Sequence, residues 1–128
     1  EGNRDEWFWI AYIQMAYQGD PLEDNDYDDE GGGSTCGMAG GPGGKNRGAL
    51  IYVETLHDCH RGCNPGQLTE LERRLVAHEI GHELNAEDYK LGTRSGLYEY
   101  NDLFNLNKTP VIDDENLDRI RSCDNPGE

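Results

Sequence analysis

Positive charge is what this sequence has least of. Eleven lysines and arginines face 26 aspartates and glutamates, for a net charge of −15, and only Lys45, Lys90 and Lys108 are lysines. A phosphate backbone would be repelled by such a chain, which argues against nucleic acid as a partner. The same balance suits high solubility, cation binding and a salt-adapted source. Apolar side chains are sparse too, at 34%. No run of them approaches the length of a membrane span, since the longest, Trp7 to Ala16, already contains Gln14. An initiator methionine and a signal peptide are both missing, as expected of a processed or trimmed form. No segment repeats, and 128 residues suffice for one modest domain rather than two. So small a core normally draws support from disulfides or bound ions.

What is present begins with 17 glycines and four cysteines, Cys36, Cys59, Cys63 and Cys123. An even cysteine count in a small, acidic, loop-rich chain points to an oxidising compartment and a secreted protein. The expected disulfides are Cys59–Cys63 and Cys36–Cys123. A second metal site built from Cys59, His60, Cys63 and His57 is the less favoured alternative.

Along the chain, residues 7–17 (WFWIAYIQMAY) are dense in aromatic and β-favouring side chains and read as a buried strand. An acidic, glycine-rich loop follows over 20–33. Within it Asp24, Asp26 and Asp28 alternate as calcium ligands would. Asp29 stands at the glycine position and Thr35 at that of the closing glutamate, so a solvated loop is favoured over a calcium site. Short strands are expected at Ser34–Ala39 and Ala49–Thr55, with a loop from Asp58 to Gly66. The best helix runs from Gln67 to Leu84, with Thr69 as its cap, Glu72 completing the box, and Leu71, Leu75 and Val76 as an apolar stripe. The chain after Asp88 reads as irregular through Leu106. A last helix is expected over Asp113–Arg121, capped by Asp113 or Asp114 and carrying arginines in its final turn.

The stripe leads into His78-Glu79-Ile80-Gly81-His82. Residues four apart share a helix face, so the two imidazoles point the same way about 6 Å apart. Two neutral imidazole nitrogens there can bind one zinc ion, with Glu79 beside the metal as a general base and room for a third ligand and a water. The chain has four histidines, and two of them fall in this spacing with a glutamate between, which makes chance the weaker explanation. Gly81 inside the helix costs roughly 1 kcal/mol against alanine, so something is expected to pack closely against it.

His78, Glu79 and His82, followed by Asn85 and Asp88, resemble the metzincin metallopeptidase pattern HExxHxxGxxH with its methionine-containing turn. The resemblance implies that His78, His82 and Asp88 hold one zinc ion. Asn85, the best non-glycine residue for a left-handed turn, takes the glycine position. Ser95-Gly96-Leu97-Tyr98 looks like the methionine turn with Tyr98 in the methionine's place, where it would form the floor beneath the metal. Tyr98 or Tyr100 are also candidates for reaching the metal or the reacting oxyanion, although core packing is the expectation for either alone. Two other zincin patterns compete. Gly92-Thr93 and Tyr98 match an aspzincin motif whose ligand position holds Ser95, and Glu99 is the nearest gluzincin-type ligand.

The resemblance implies a single α+β domain over residues 1–128, a small metzincin-like zincin domain. It would have a twisted mixed sheet, an active-site helix and a C-terminal helix, with an upper part over about 1–84 and a lower part over about 85–128. The edge strand near 34–39 would pair with substrate. The implied function is a zinc-dependent, monomeric endopeptidase acting on protein or peptide by a zinc-bound water activated by Glu79. A non-catalytic, metal-stabilised binding module is the alternative. The usual first strand and long first helix have no counterpart, which leaves room for a pro-segment or inhibitor at the cleft.

Overall fold

The computed structural model describes residues 9–14, 36–39, 48–90 and 92–122. The candidate calcium residues Asp24, Asp26 and Asp28 lie outside them, as does Cys123. The described chain is a small mixed α/β fold. Strands β1 (Trp9–Ile13), β2 (Gly37–Ala39) and β3 (Gly48–Tyr52) form one sheet in the order β1-β3-β2. β1 runs parallel to β3, and β2 runs antiparallel to it. Four helices follow: α1 (Val53–Cys59), α2 (Pro65–Glu83), α3 (Tyr100–Leu103) and α4 (Asp114–Arg121).

The strand expected over Ala49–Thr55 stops earlier. Its ladder with β1 ends at the pair Ile13↔Tyr52, and the chain turns at once into α1. Residues 53–59 are therefore helical where strand and loop were expected. Thr69 does not cap α2. The cap is Asn64, whose side chain accepts from the Gln67 amide at 2.9 Å while the Gln67 side chain accepts from the Asn64 amide at 2.9 Å. Pro65 supplies a backbone already set for a first helical turn. Thr69, inside the helix, donates to the Pro65 carbonyl. The stretch expected to be irregular after Asp88 holds the single turn α3, while α4 is capped by the Asp113 side chain accepting from the Asn116 amide.

Two apolar clusters flank α2. Cys36, Ile51, Leu56, Leu71 and Leu75 pack between sheet, α1 and α2; Ala86, Leu97, Tyr98 and Leu103 pack beneath the C-terminal half of α2. Phe104 touches both clusters. Cys63 is a free thiol packed against the first cluster, so the Cys59–Cys63 bridge is not formed. His57 bonds Glu72 at 2.7 Å and the His60 ring lies against Phe104, so neither is turned toward a second metal site with Cys63. No helix among the described residues is long and apolar enough to cross a membrane.

Candidate metal centre

Helix α2 places His78 and His82 on one face, and the chain then has to return Asp88 to that face. Asn85 makes the return with φ of 75°, in the left-handed region that few residues adopt without strain. The Ala86 amide reaches back to the Gly81 carbonyl at 2.9 Å and closes the end of the helix. Asp88 Oδ1 then lies 3.3 Å from His78 Nε2 and 3.2 Å from His82 Nε2, and the two Nε2 atoms lie 3.0 Å apart. Among the described residues this is the group of histidine and acidic side chains that could hold a metal ion.

The other ring nitrogens fix the protonation. His78 Nδ1 donates to the Leu97 carbonyl at 2.6 Å, and His82 Nδ1 donates to the Ala86 carbonyl at 2.9 Å. A carbonyl can only accept, so both Nδ1 atoms carry hydrogen and both Nε2 atoms present lone pairs to the centre. Two lone pairs and a carboxylate oxygen within 3.3 Å of one another repel unless a cation sits among them. Without a metal, a proton fills that role. Burial opposes charge on His82, but its hydrogen bond to Asp88 and the Asp88 charge prevail and raise its pKa. Burial likewise opposes ionisation of Asp88, and the His82 bond with the charges of both imidazoles brings its pKa down. His78, more deeply buried, is pushed towards the neutral form by desolvation.

Glu79 lies beside this group and is almost fully enclosed. Burial lifts its carboxyl to about 7; the His82 charge opposes the shift, and Asp88 and Glu83 reinforce it. Its carboxylate packs on the edge strand β2, where a Cβ at Gly37 would stand 2.6 Å from Glu79 Oε1. Any side chain at position 37 would push the carboxylate aside.

Tyr98 forms the floor. Its ring stacks on His78 with centroids 5.0 Å apart and meets His82 edge-on at 5.5 Å. The hydroxyl donates to the Ala77 carbonyl at 3.3 Å, and burial raises its pKa. The ring fits only because position 81 has no side chain, since a Cβ there would stand 1.4 Å from the Tyr98 hydroxyl. The main chain of the turn acts as well: the Leu97 carbonyl orients His78, and the Tyr98 carbonyl accepts the Tyr89 amide at 2.8 Å, next to Asp88.

The competing candidates fall elsewhere. Glu99 is buried, accepts the Gly92 amide at 3.1 Å and is not part of the group, and Ser95 is exposed. Tyr100 opens α3, and its side chain lies outside the described residues. Sequence reasoning missed Gly37 altogether, because it sits in a glycine-rich stretch where one more glycine carries no signal. It also missed the carbonyls of Leu97 and Ala86, which no residue type announces. No protein-family model, curated protein or solved structure matches this chain. The site therefore stands on its own geometry.

Proposed function

We propose that this chain is a zinc-dependent endopeptidase with a metzincin-like arrangement. The observation that carries the reading is the convergence of His78 Nε2, His82 Nε2 and Asp88 Oδ1 at 3.0–3.3 Å, with both Nδ1 atoms committed to carbonyls. Tetrahedral zinc with bonds of 2.0–2.1 Å needs donors about 3.3 Å apart, so the triangle has the right size and donor set. Three protein donors leave one position open to water and substrate, which is the arrangement of a catalytic rather than a structural site. Zinc held there would polarise a peptide carbonyl and acidify water.

The remaining work belongs to the chain. Glu79 takes the proton of the attacking water and passes it to the departing amide nitrogen. A carboxyl lifted to about 7 by burial suits that exchange, and a bound cation would draw it lower. The antiparallel strand β2, which packs on Glu79 through Gly37, stands at the edge of the sheet among the described residues, where an extended peptide could pair with its outer side. Tyr98 keeps both imidazoles in place from below.

Hydrolysis of an unstructured protein, followed with and without a chelator, tests the reading. Glu79→Gln should still bind zinc and should lose about 10²–10⁴-fold in rate. Full activity in that variant would remove Glu79 from the mechanism. Zinc binding without hydrolysis in the unaltered protein would instead favour a metal-stabilised binding module.

A further inference from the structure

The Leu97 carbonyl orients His78, and what holds that carbonyl lies a turn away from the metal centre. Gly96 and Leu97 are pinned from two sides. The Leu97 amide donates to the Val111 carbonyl at 2.8 Å, and the Gly96 amide donates to Asp102 Oδ2 at 3.0 Å. Gly96 has φ of 104°, and a Cβ on it would stand 2.6 Å from the Val111 oxygen, so this backbone has little freedom to move as a body. Asp102 is itself buried on α3 and held at its other oxygen by Lys108 Nζ at 2.5 Å. Lys108 is placed by the 4%-exposed Arg74 of α2, whose guanidinium bonds the carbonyls of Asn105 and Lys108 at 2.8 Å each. The chain of contacts runs from α2 out through the segment after α3 and back to α2 at His78.

We propose that Asp102 is a positioning residue for the metal centre, acting through the Gly96 amide and the Leu97 carbonyl on the orientation of His78. This rests on the reading of His78 as a metal ligand. Asp102 bonds the Gly96 amide and Lys108, not the proposed ligands. The Leu97 carbonyl is the layer directly behind the imidazole, a layer whose loss typically costs about 10–100-fold in metal affinity, and Asp102 acts one step further out by holding the backbone that carries it. Geometry, rather than the negative charge of Asp102, is what the turn requires. A carboxylate one methylene longer would press on the Gly96 amide, whereas an amide of the same shape still presents an oxygen to it.

The test is zinc affinity of the purified, metal-free protein, measured by competition with a chromophoric chelator at a temperature where each variant gives the folded circular dichroism spectrum. Asp102→Ala and Asp102→Glu should each weaken zinc binding by about 10-fold, the lower end of the range for losing the imidazole's own partner. Asp102→Asn should lose less than either, although it removes the pairing with Lys108. In the zinc-loaded protein the His78 Nδ1 proton, protected in its 2.6 Å bond, should exchange faster with solvent in Asp102→Glu than in Asp102→Asn. A purely structural role would lower the unfolding midpoint of the variants and leave zinc affinity and that proton unchanged, which would overturn the proposal. If Asp102→Ala does not fold, the order of Asp102→Glu and Asp102→Asn decides: tighter binding by the glutamate variant would overturn it. Failure of the unaltered protein to bind zinc would overturn both this and the metal-centre reading, whereas binding that is indifferent to Asp102 overturns this alone.

Discussion

At Gly81 one missing methyl group admits a whole aromatic ring. Intrinsic helix propensity favours alanine over glycine at a mid-helix position by roughly 1 kcal/mol. A Cβ here would stand 1.4 Å from the Tyr98 hydroxyl and 2.5 Å from its ring carbon, so the ring would have to leave. Overpacking a filled site costs about 1–3 kcal/mol, which exceeds the propensity gain. Gly81→Ala should therefore lower stability in urea unfolding and weaken zinc binding, because Tyr98 braces both imidazoles. A more stable Gly81→Ala would mean the ring has somewhere else to go. The sequence made the close approach at Gly81 readable, since a glycine in a helix calls for a reason. Its partner, 17 residues downstream, was named only through the resemblance of the turn. Gly37 was not readable at all, because its reason is the Glu79 side chain of a distant helix.

Among the elements, α2 and α4 were legible because each has enough turns to show a period and a cap. The start of α2 was misplaced because Thr69 and Glu72 satisfy the same spacing rule that Asn64 and Gln67 use, and Pro65 was the signal that separates them. The single turn α3 has no room for periodicity, yet it carries Asp102. Lys108 pairs with Asp102 and holds its carboxyl below the ordinary value of 3.8; burial pulls the other way, and the Gly96 amide helps to keep it low. A carboxyl whose folded pKa is depressed contributes stability that is present above the unfolded value and lost as pH falls through the folded one. The contribution should thus be complete at neutral pH and fade below about pH 4. Asp102→Asn should be less stable than the parent at pH 7, with the gap closing as urea midpoints are followed from pH 5 to about 2.5. A gap that stays constant over that range would mean the carboxylate charge is not what stabilises α3.

For the whole molecule, the sequence announced a small mixed fold, a sparse core and an excess of acidic charge. The topology was not legible: which strands pair, and in which direction, depends on contacts across stretches that carry no periodic signal. The net charge of −15 makes the folded chain repel itself. Raising salt from about 0.01 to 1 M shortens the screening length from roughly 30 to 3 Å. The melting temperature of the metal-free protein should therefore climb with sodium chloride; a flat or falling curve would mean that its acidic groups are already offset by local pairing. Among the described residues, His78, His82 and Asp88 form the group of histidine and acidic side chains that could hold a metal ion, and the proposed function depends on what fills it. The direct measurement is a crystal grown with zinc, with diffraction collected on both sides of the zinc absorption edge. A single anomalous peak bonded to His78 Nε2, His82 Nε2 and Asp88 Oδ1 is the predicted result. A peak joined by Glu99 instead of Asp88, a peak elsewhere in the molecule, or none at all would contradict it.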